Sequence, residues 1–423
     1  NLKSVNAVDM AVRYEDLRSE VKIRTFTPKT GFRGTYRDKL LSGDARGAFT
    51  SALLTVGSTT WLNRATVEAE LKLVYSHDHF RVREGFMRVN KALIGLSGEY
   101  TSGRKGTIDL AVDVPRFGLD ELMSLLPVNV DSLFRDYRFS GKGSLKATLK
   151  GPVSDPEHLQ IASDFRLSDG TARNLNTRGE IRGISLTGTV SGTTASNFRM
   201  RLSHFTSKIG KGSVNGSLEI RNLHTLDMEA RIESELDLKS IRQFFDPDTV
   251  ELLTGTVKAD FDAAGSLARI GKDSAAGTLK LIRSGNFGFR DAGVRLKDSP
   301  VRISGINGKA VLRQHLKLDS LSLSLNENDL LLNGTIENLN DYLLNKGILY
   351  GNLNVQAGHL SINSFLRQEE GKPGTGGGSG SFFPDRVNLK ARLRASTFEA
   401  ARFNAEDLSV NLSLIGDSLY IPA

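Results

Sequence analysis

The side chains that look most able to do chemistry are His77 and His79, separated by Asp78. Two imidazoles with one spacer can face the same side of a strand and share a divalent metal. A zinc site needs three or four protein ligands, and the spacing identifies no third one. Ser76-His77-Asp78-His79 also falls between two alternating runs, Leu71–Tyr75 and Phe80–Val82. That is the place of a hairpin turn, where polar residues are expected for backbone reasons alone. Ser203-His204 and Asp237 supply the residue types of a hydrolytic triad, but no Ser stands in a nucleophile-elbow sequence. Asp109 and Asp113 could form an acid/base pair. Each alternates with apolar residues, however, and so belongs to the outward face of a strand. Gly141-Lys142-Gly143-Ser144 lacks the earlier Gly of a phosphate loop and reads as a turn before a strand. Phe80-Arg81-Val82-Arg83 and Phe198-Arg199-Met200-Arg201-Leu202 combine aromatic and basic residues. Alternation sends Phe and Arg to opposite faces, so they build no stacking platform for bases. The sequence thus leads us to expect no catalytic residue, no metal, no cofactor and no nucleic-acid partner.

Alternation is the dominant pattern. Thr107–Val114 puts Ile108, Leu110, Val112 and Val114 on one face, and Leu316–Leu325 does the same with one slip at Ser320. Val387–Leu393 is a third case. Period two over five to eight residues specifies half-buried strands, and such strands belong to antiparallel sheets with one apolar and one polar face. Helical segments are short: 119–126, stopped by Pro127, then 238–245 and 362–366. These are read as crossover helices.

The pieces recur in order. Leu96-Ser97-Gly98-Glu99-Tyr100 returns as Val214-Asn215-Gly216-Ser217-Leu218 and as Leu332-Asn333-Gly334-Thr335-Ile336, with the three glycines equally spaced. Each copy leads on to a strand, a short helix, and then a second motif. That motif reads Leu145-Lys146-Ala147-Thr148-Leu149, Val257-Lys258-Ala259-Asp260-Phe261 and Leu389-Lys390-Ala391-Arg392-Leu393. Ordered copies of two motifs specify a repeat of several strands plus one short crossover. The predicted organisation is an N-terminal β segment over 1–79, repeats over 80–197 and 198–315, and a partial repeat over 316–423. A flexible linker at 369–381 (Glu-Gly-Lys-Pro-Gly-Thr-Gly-Gly-Gly-Ser-Gly-Ser from 370) contains no apolar residue.

Composition agrees with many short strands. The chain of 423 residues has 42 Gly and only 10 Pro, and it has no Cys, which excludes disulfides and thiolate chemistry. Its 56 Lys+Arg against 48 Asp+Glu leave a net charge of +8, with both signs interleaved. This is a solvated face with mild attraction to anionic surfaces. No apolar run is long enough to span a bilayer as a helix.

Several phrases carry a resemblance. Gly151-Pro152-Val153-Ser154-Asp155-Pro156 is followed by the strand Leu159–Leu167 and by Asp169-Gly170. With Leu332–Leu339 and Phe403–Leu414, this resembles the repeated phrasing of the AsmA/TamB family from about Phe80 onward. The resemblance implies a taco-like β-groove or open barrel with an apolar interior, similar to bridge-like lipid transfer proteins. It implies a periplasmic body held by an N-terminal inner-membrane anchor lying outside this chain. It also implies phospholipids and bacterial membranes as partners and, for the TamB branch, outer-membrane proteins. The expected fold is mainly β: an elongated, curved antiparallel sheet of serial repeats with a few short crossover helices.

The expected function is non-enzymatic: conduction of phospholipid acyl chains along an apolar groove between inner and outer membranes. The alternative is a scaffold or chaperone for outer-membrane β-barrel proteins. Candidate groove-lining residues are Ile108, Leu110, Val112, Leu145, Ala147, Leu149, Val257, Ala259, Phe261, Leu389, Ala391 and Leu393. Each acyl CH₂ buried on such a face would gain about 0.8 kcal/mol without any polar motif to mark the site.

Overall fold

A computed structural model of the chain describes residues 4–16, 21–56, 59–103, 106–123, 136–153, 158–177, 179–193, 196–244, 250–267, 280–296, 301–343, 347–363, 386–416 and 418–421. The linker at 369–381 and most of the predicted helix at 362–366 lie outside these residues.

The alternating runs fold as strands throughout. In chain order these are β1 Ser4–Asp16, β2 Val21–Arg37, β3 Leu40–Val56, β4 Thr59–Ser76, β5 His79–Val89, β6 Ala92–Thr101 and β7 Thr107–Gly118. Next come β8 Tyr137–Pro152, β9 Gln160–Asn174, β10 Glu180–Gly192, β11 Arg199–Ile209, β12 Gly212–Arg221 and β13 Asp227–Asp237. The last group is β14 Val250–Ser266, β15 Ile282–Leu296, β16 Arg302–Leu312, β17 Leu316–Leu325, β18 Asn328–Glu337, β19 Leu349–Ser361, β20 Val387–Ala400, β21 Phe403–Ile415 and β22 Ser418–Tyr420. All 22 belong to one sheet, which does not close on itself. The mainly β expectation therefore holds.

Among the described residues the helices are α1 Leu119–Met123, α2 Leu238–Ile241 with a 3₁₀ turn over Arg242–Phe244, and α3 Leu339–Leu343. The first two stand where expected. The third was not anticipated. It follows Asn338, a residue at φ 60° whose carbonyl accepts the Tyr342 amide at 3.0 Å.

The strands group into two compact units, Asn1–Lys208 with Ser217–Leu226, and Ile209–Gly216 with Asp227–Ala423. In the first unit every neighbour from β1 to β10 pairs antiparallel. In the second, β13 through β19 pair antiparallel, as do β20 with β21 and β21 with β22. The exception is β19 with β20, which run parallel with Leu349 opposite Val387 and Ser361 opposite Glu399. A parallel neighbour needs a crossover of a dozen or more residues, and the chain between Ser361 and Val387 is long enough to provide it.

The slip at Ser320 is a β-bulge. Ser320 sits at φ 49° and the β17–β18 register jumps between Leu318 and Leu321, which keeps both leucines on the apolar side. The bulge frees the Ser320 amide, and Asn333 accepts it at 2.8 Å. Beside it, Gly334 has φ 148°, and a Cβ there would collide with the Asn352 carbonyl on β19. Gly98 repeats this at φ 149° against the Asp109 carbonyl on β7. At Gly98 and Gly334 the Asn/Ser-Gly motif is thus glycine-bound because only Gly tolerates both the dihedral and the close strand. Asn328 is buried and pins the far end of the β18–β19 pair: Ser361 N–H donates to its Oδ1 at 2.6 Å and its Nδ2 donates to the Ser361 carbonyl at 3.0 Å.

Candidate functional site

Pairing register shows what the alternation assembles. In the first unit Leu71 faces Gly85, Gly85 faces Leu96, Leu96 faces Val112, Val112 faces Ala147 and Ala147 faces Ser163. A parallel row runs Gly98, Leu110, Leu149, Ile161. Residues directly opposite in a ladder share a face, so these rows form one apolar surface across many strands.

The second unit builds a surface of its own in the same way. Leu236 faces Val257, Val257 faces Phe289, and Phe287 faces Ala259 on one side and Ala310 on the other. Ala310 faces Leu318, Leu318 faces Gly334 and Gly334 faces Leu353. The parallel pair carries the surface on: Leu353 faces Ala391 and Val355 faces Leu393, and these face Leu412 and Val410. Ala310, Leu318 and Leu321 form its buried heart, packed by Phe287, Phe289, Leu332 and Leu353 among others.

The twelve predicted lining residues lie on these two surfaces, six in each unit. Ile108, Leu110, Val112, Leu145, Ala147, Leu149, Val257, Phe261, Leu389 and Ala391 are half-buried, whereas Ala259 and Leu393 are buried. An ordinary two-layer core would bury most of them. Here most keep some access, so the face can still take up apolar surface from another molecule. The structure does not gather the twelve into one spot. It spreads them as two sets, one per unit, each joined by residues the motifs did not single out, such as Leu96, Phe289, Leu353 and Leu412. Their strands alternate in the same way, so extending the period-two reading to every strand would have found them.

The opposite face is charged and paired. Lys72 Nζ meets Glu84 at 2.5 Å, Arg46 meets Glu70 at 2.5 Å, Arg88 meets Glu68 at 3.0 Å and Lys150 meets Asp109 at 3.0 Å. Each pair links neighbouring strands. The Glu84 partner holds the Lys72 ammonium above its ordinary range, and the Arg81 guanidinium holds the Glu99 carboxyl below its own. Glu219 is the densest node. Arg221 reaches it at 2.7 Å, Arg201 at 2.8 Å and Arg199 at 3.2 Å, and the hydrogen bonds from Arg221 and then Arg201 depress its pKa. A cleft of about 800 Å³ is lined both by charged residues such as Lys29, Arg46, Glu68 and Arg88 and by apolar ones such as Phe32, Phe86 and Leu93.

The remaining chemical candidates are dispersed. His77 and Asp78 form the β4–β5 turn, with His77 at φ 47°, and His79 leans towards Glu99 at 3.4 Å. Ser203 donates its hydroxyl to the Thr187 carbonyl at 3.2 Å, and Asp237 accepts from Ser240 at 2.7 Å, so the triad residue types are engaged elsewhere. Gly141–Ser144 lies inside β8 rather than in a turn before it. Gly141 takes φ 144° at a bulge where the register shifts, and a Cβ on Gly143 would collide with the Phe117 ring on β7, so each glycine has its own structural reason. Among the described residues no group of three His, Asp or Glu is placed to hold a metal, and no helix is long and apolar enough to cross a membrane.

No protein-family model, no curated protein and no solved structure matches the chain.

Proposed function

We propose that this chain is a non-enzymatic lipid-handling protein whose apolar sheet face receives phospholipid acyl chains, in the manner of the AsmA/TamB-like family its sequence resembles. One observation carries the reading: within each unit the strand register carries an apolar surface whose lining residues are, for the most part, neither sealed nor free. An acyl chain needs contact area and no directional bond, so this surface suits it without a polar motif. The charged reverse face keeps the same strands soluble. A periplasmic location, with traffic between two bacterial membranes, follows from the family resemblance.

Mass spectrometry of lipids extracted from the purified chain tests the reading. The expected result is reproducible co-purifying phospholipid, reduced when Val112→Asp and Ala147→Asp are introduced together. A chain that repeatedly purifies without lipid, and takes none up from added vesicles, would contradict it. Crosslinking to unfolded barrel proteins in place of acyl chains would instead favour an assembly scaffold.

A further inference from the structure

Phenylalanines on the apolar side of the sheet lie down over glycines. On β10, Gly188 stands opposite Phe165 of β9, in the row that Val114 and Leu145 begin. A Cβ on Gly188 would meet the tip of the Phe165 ring at 2.5 Å. The same posture occurs along a single strand. On β3 the Phe49 ring reaches back over Gly47 and comes to 3.0 Å from where a Cβ would sit. In the second unit the Phe287 ring does this to Gly285, also at 3.0 Å, and Gly285 faces the predicted lining residue Phe261. A strand glycine has no side chain to cover its own backbone, yet Gly188 and Gly285 are buried.

A ring laid over a glycine fills the space a Cβ would have taken, so it adds apolar area with little height above the sheet. Facing a glycine does not by itself bring a ring down. On the charged face Phe86 stands opposite Gly95, but a Cβ there would meet Asp113 and not the ring, and Phe86 stays 49% exposed. Gly188, Gly47 and Gly285, by contrast, all lie on the side to which acyl chains are assigned.

We propose that these glycine–phenylalanine pairs set the clearance above the apolar face. Each glycine gives its ring a place to lie, so an acyl chain can slide past a ring that would otherwise stand in its path. The glycines are positioning residues that act through the rings. The inference rests on the acyl-binding reading and adds to it the feature that lets a bound chain move.

Exchange of bound lipid tests it. The purified full chain is mixed with vesicles of deuterated phosphatidylethanolamine, and the label entering its bound lipid is followed by mass spectrometry, alongside the thermal midpoint. Gly47→Ala and Gly285→Ala suit the purpose: neither glycine needs a positive φ, and the nearest atoms a Cβ would meet belong to side chains, the ring among them. Each should slow exchange about tenfold, as one overpacked ring stands in the path. Should one of them not fold, the other, in a different unit, answers alone. Gly285→Ala combined with Phe287→Leu should restore most of the rate, and so should Gly47→Ala with Phe49→Leu. A merely structural pairing would move the midpoint and leave the rate alone. The inference is overturned if the folded Gly→Ala variants exchange as fast as the unaltered chain, or if the slowing persists once the ring is removed. A chain that exchanges lipid and ignores these changes sinks this inference only, whereas a chain that never carries lipid sinks the acyl-binding reading with it.

Discussion

Two rows at corresponding places in the molecule have opposite chemistry. In the first unit Tyr36, Leu41, Tyr75, Phe80, Tyr100 and Ile108 follow one another through the ladder. In the second, Ile232, Phe261, Gly285, Leu312, Leu316, Ile336, Gly351, Leu389 and Leu414 do so. The rows correspond because Tyr100 and Ile336 each stand two residues after the motif glycine, Gly98 and Gly334. The tyrosines of the first row are exposed, whereas in the second every member from Ile232 to Leu414 is buried or half-buried and only Leu419, opposite Leu414 on the last strand, is exposed. One backbone pattern therefore supports two differently exposed rows. A strand requires only that these positions be apolar on one side. A tyrosine at such a position can keep its hydroxyl in water while its ring rests on the sheet.

The comparison can be broken most sharply by truncation. Leu318, buried in the second unit's cluster, should lose about 2–5 kcal/mol as Leu318→Ala, because a cavity replaces its contacts. Tyr75→Ala should lose about 1 kcal/mol or less, since much of its ring already faces water. Urea unfolding of both variants checks this, and equal losses would make the tyrosine row ordinary core. The shared backbone is tested next. Gly98→Ala and Gly334→Ala should each cost about 1–3 kcal/mol through strain at positive φ and the opposing carbonyl. Gly358→Ala, whose Cβ would meet nothing within 4 Å, should cost about 0.5 kcal/mol or less by the same measurement.

The smallest effect belongs to the charged face. Glu219 has a folded pKa below its ordinary 4.5, chiefly through Arg221 and Arg201. The stability it lends is therefore fully present above pH 4.5 and is lost as pH falls through the lower, folded value. Its size should be about 1 kcal/mol or less, as for ion pairs near water. Thermal midpoints between pH 6 and 3 (roughly the span over which carboxylates titrate) should fall more steeply for the unaltered chain than for Glu219→Gln.

Much of this fold could be read before any coordinates. Period-two runs such as Ile108–Val114 and Leu316–Leu325 became strands with their apolar residues on one side, and even the slip at Ser320 had a structural cause. That the twelve candidate residues share the apolar face of their strands was legible for the same reason. Other features were not. α3 is a single turn of five residues, too short to show helical periodicity. The parallel pairing of β19 with β20 depends on where the crossover returns the chain, and neither strand's own sequence records direction. The tyrosine row was invisible because Tyr36, Tyr75 and Tyr100 stand on different strands, and only the register brings them together.

The central claim is that the apolar face is reachable by an acyl chain while the charged face is not used. Photolabelling the lipid-loaded chain with a phospholipid bearing a diazirine in its acyl tail, followed by peptide mass spectrometry, tests it directly. Adducts should concentrate at the alternate positions Leu110, Val112, Ala147, Leu149, Leu389 and Ala391 and avoid Asp113, Lys146, Lys150 and Lys390. Adducts spread evenly over adjacent residues, or gathered on the charged positions, would contradict the account.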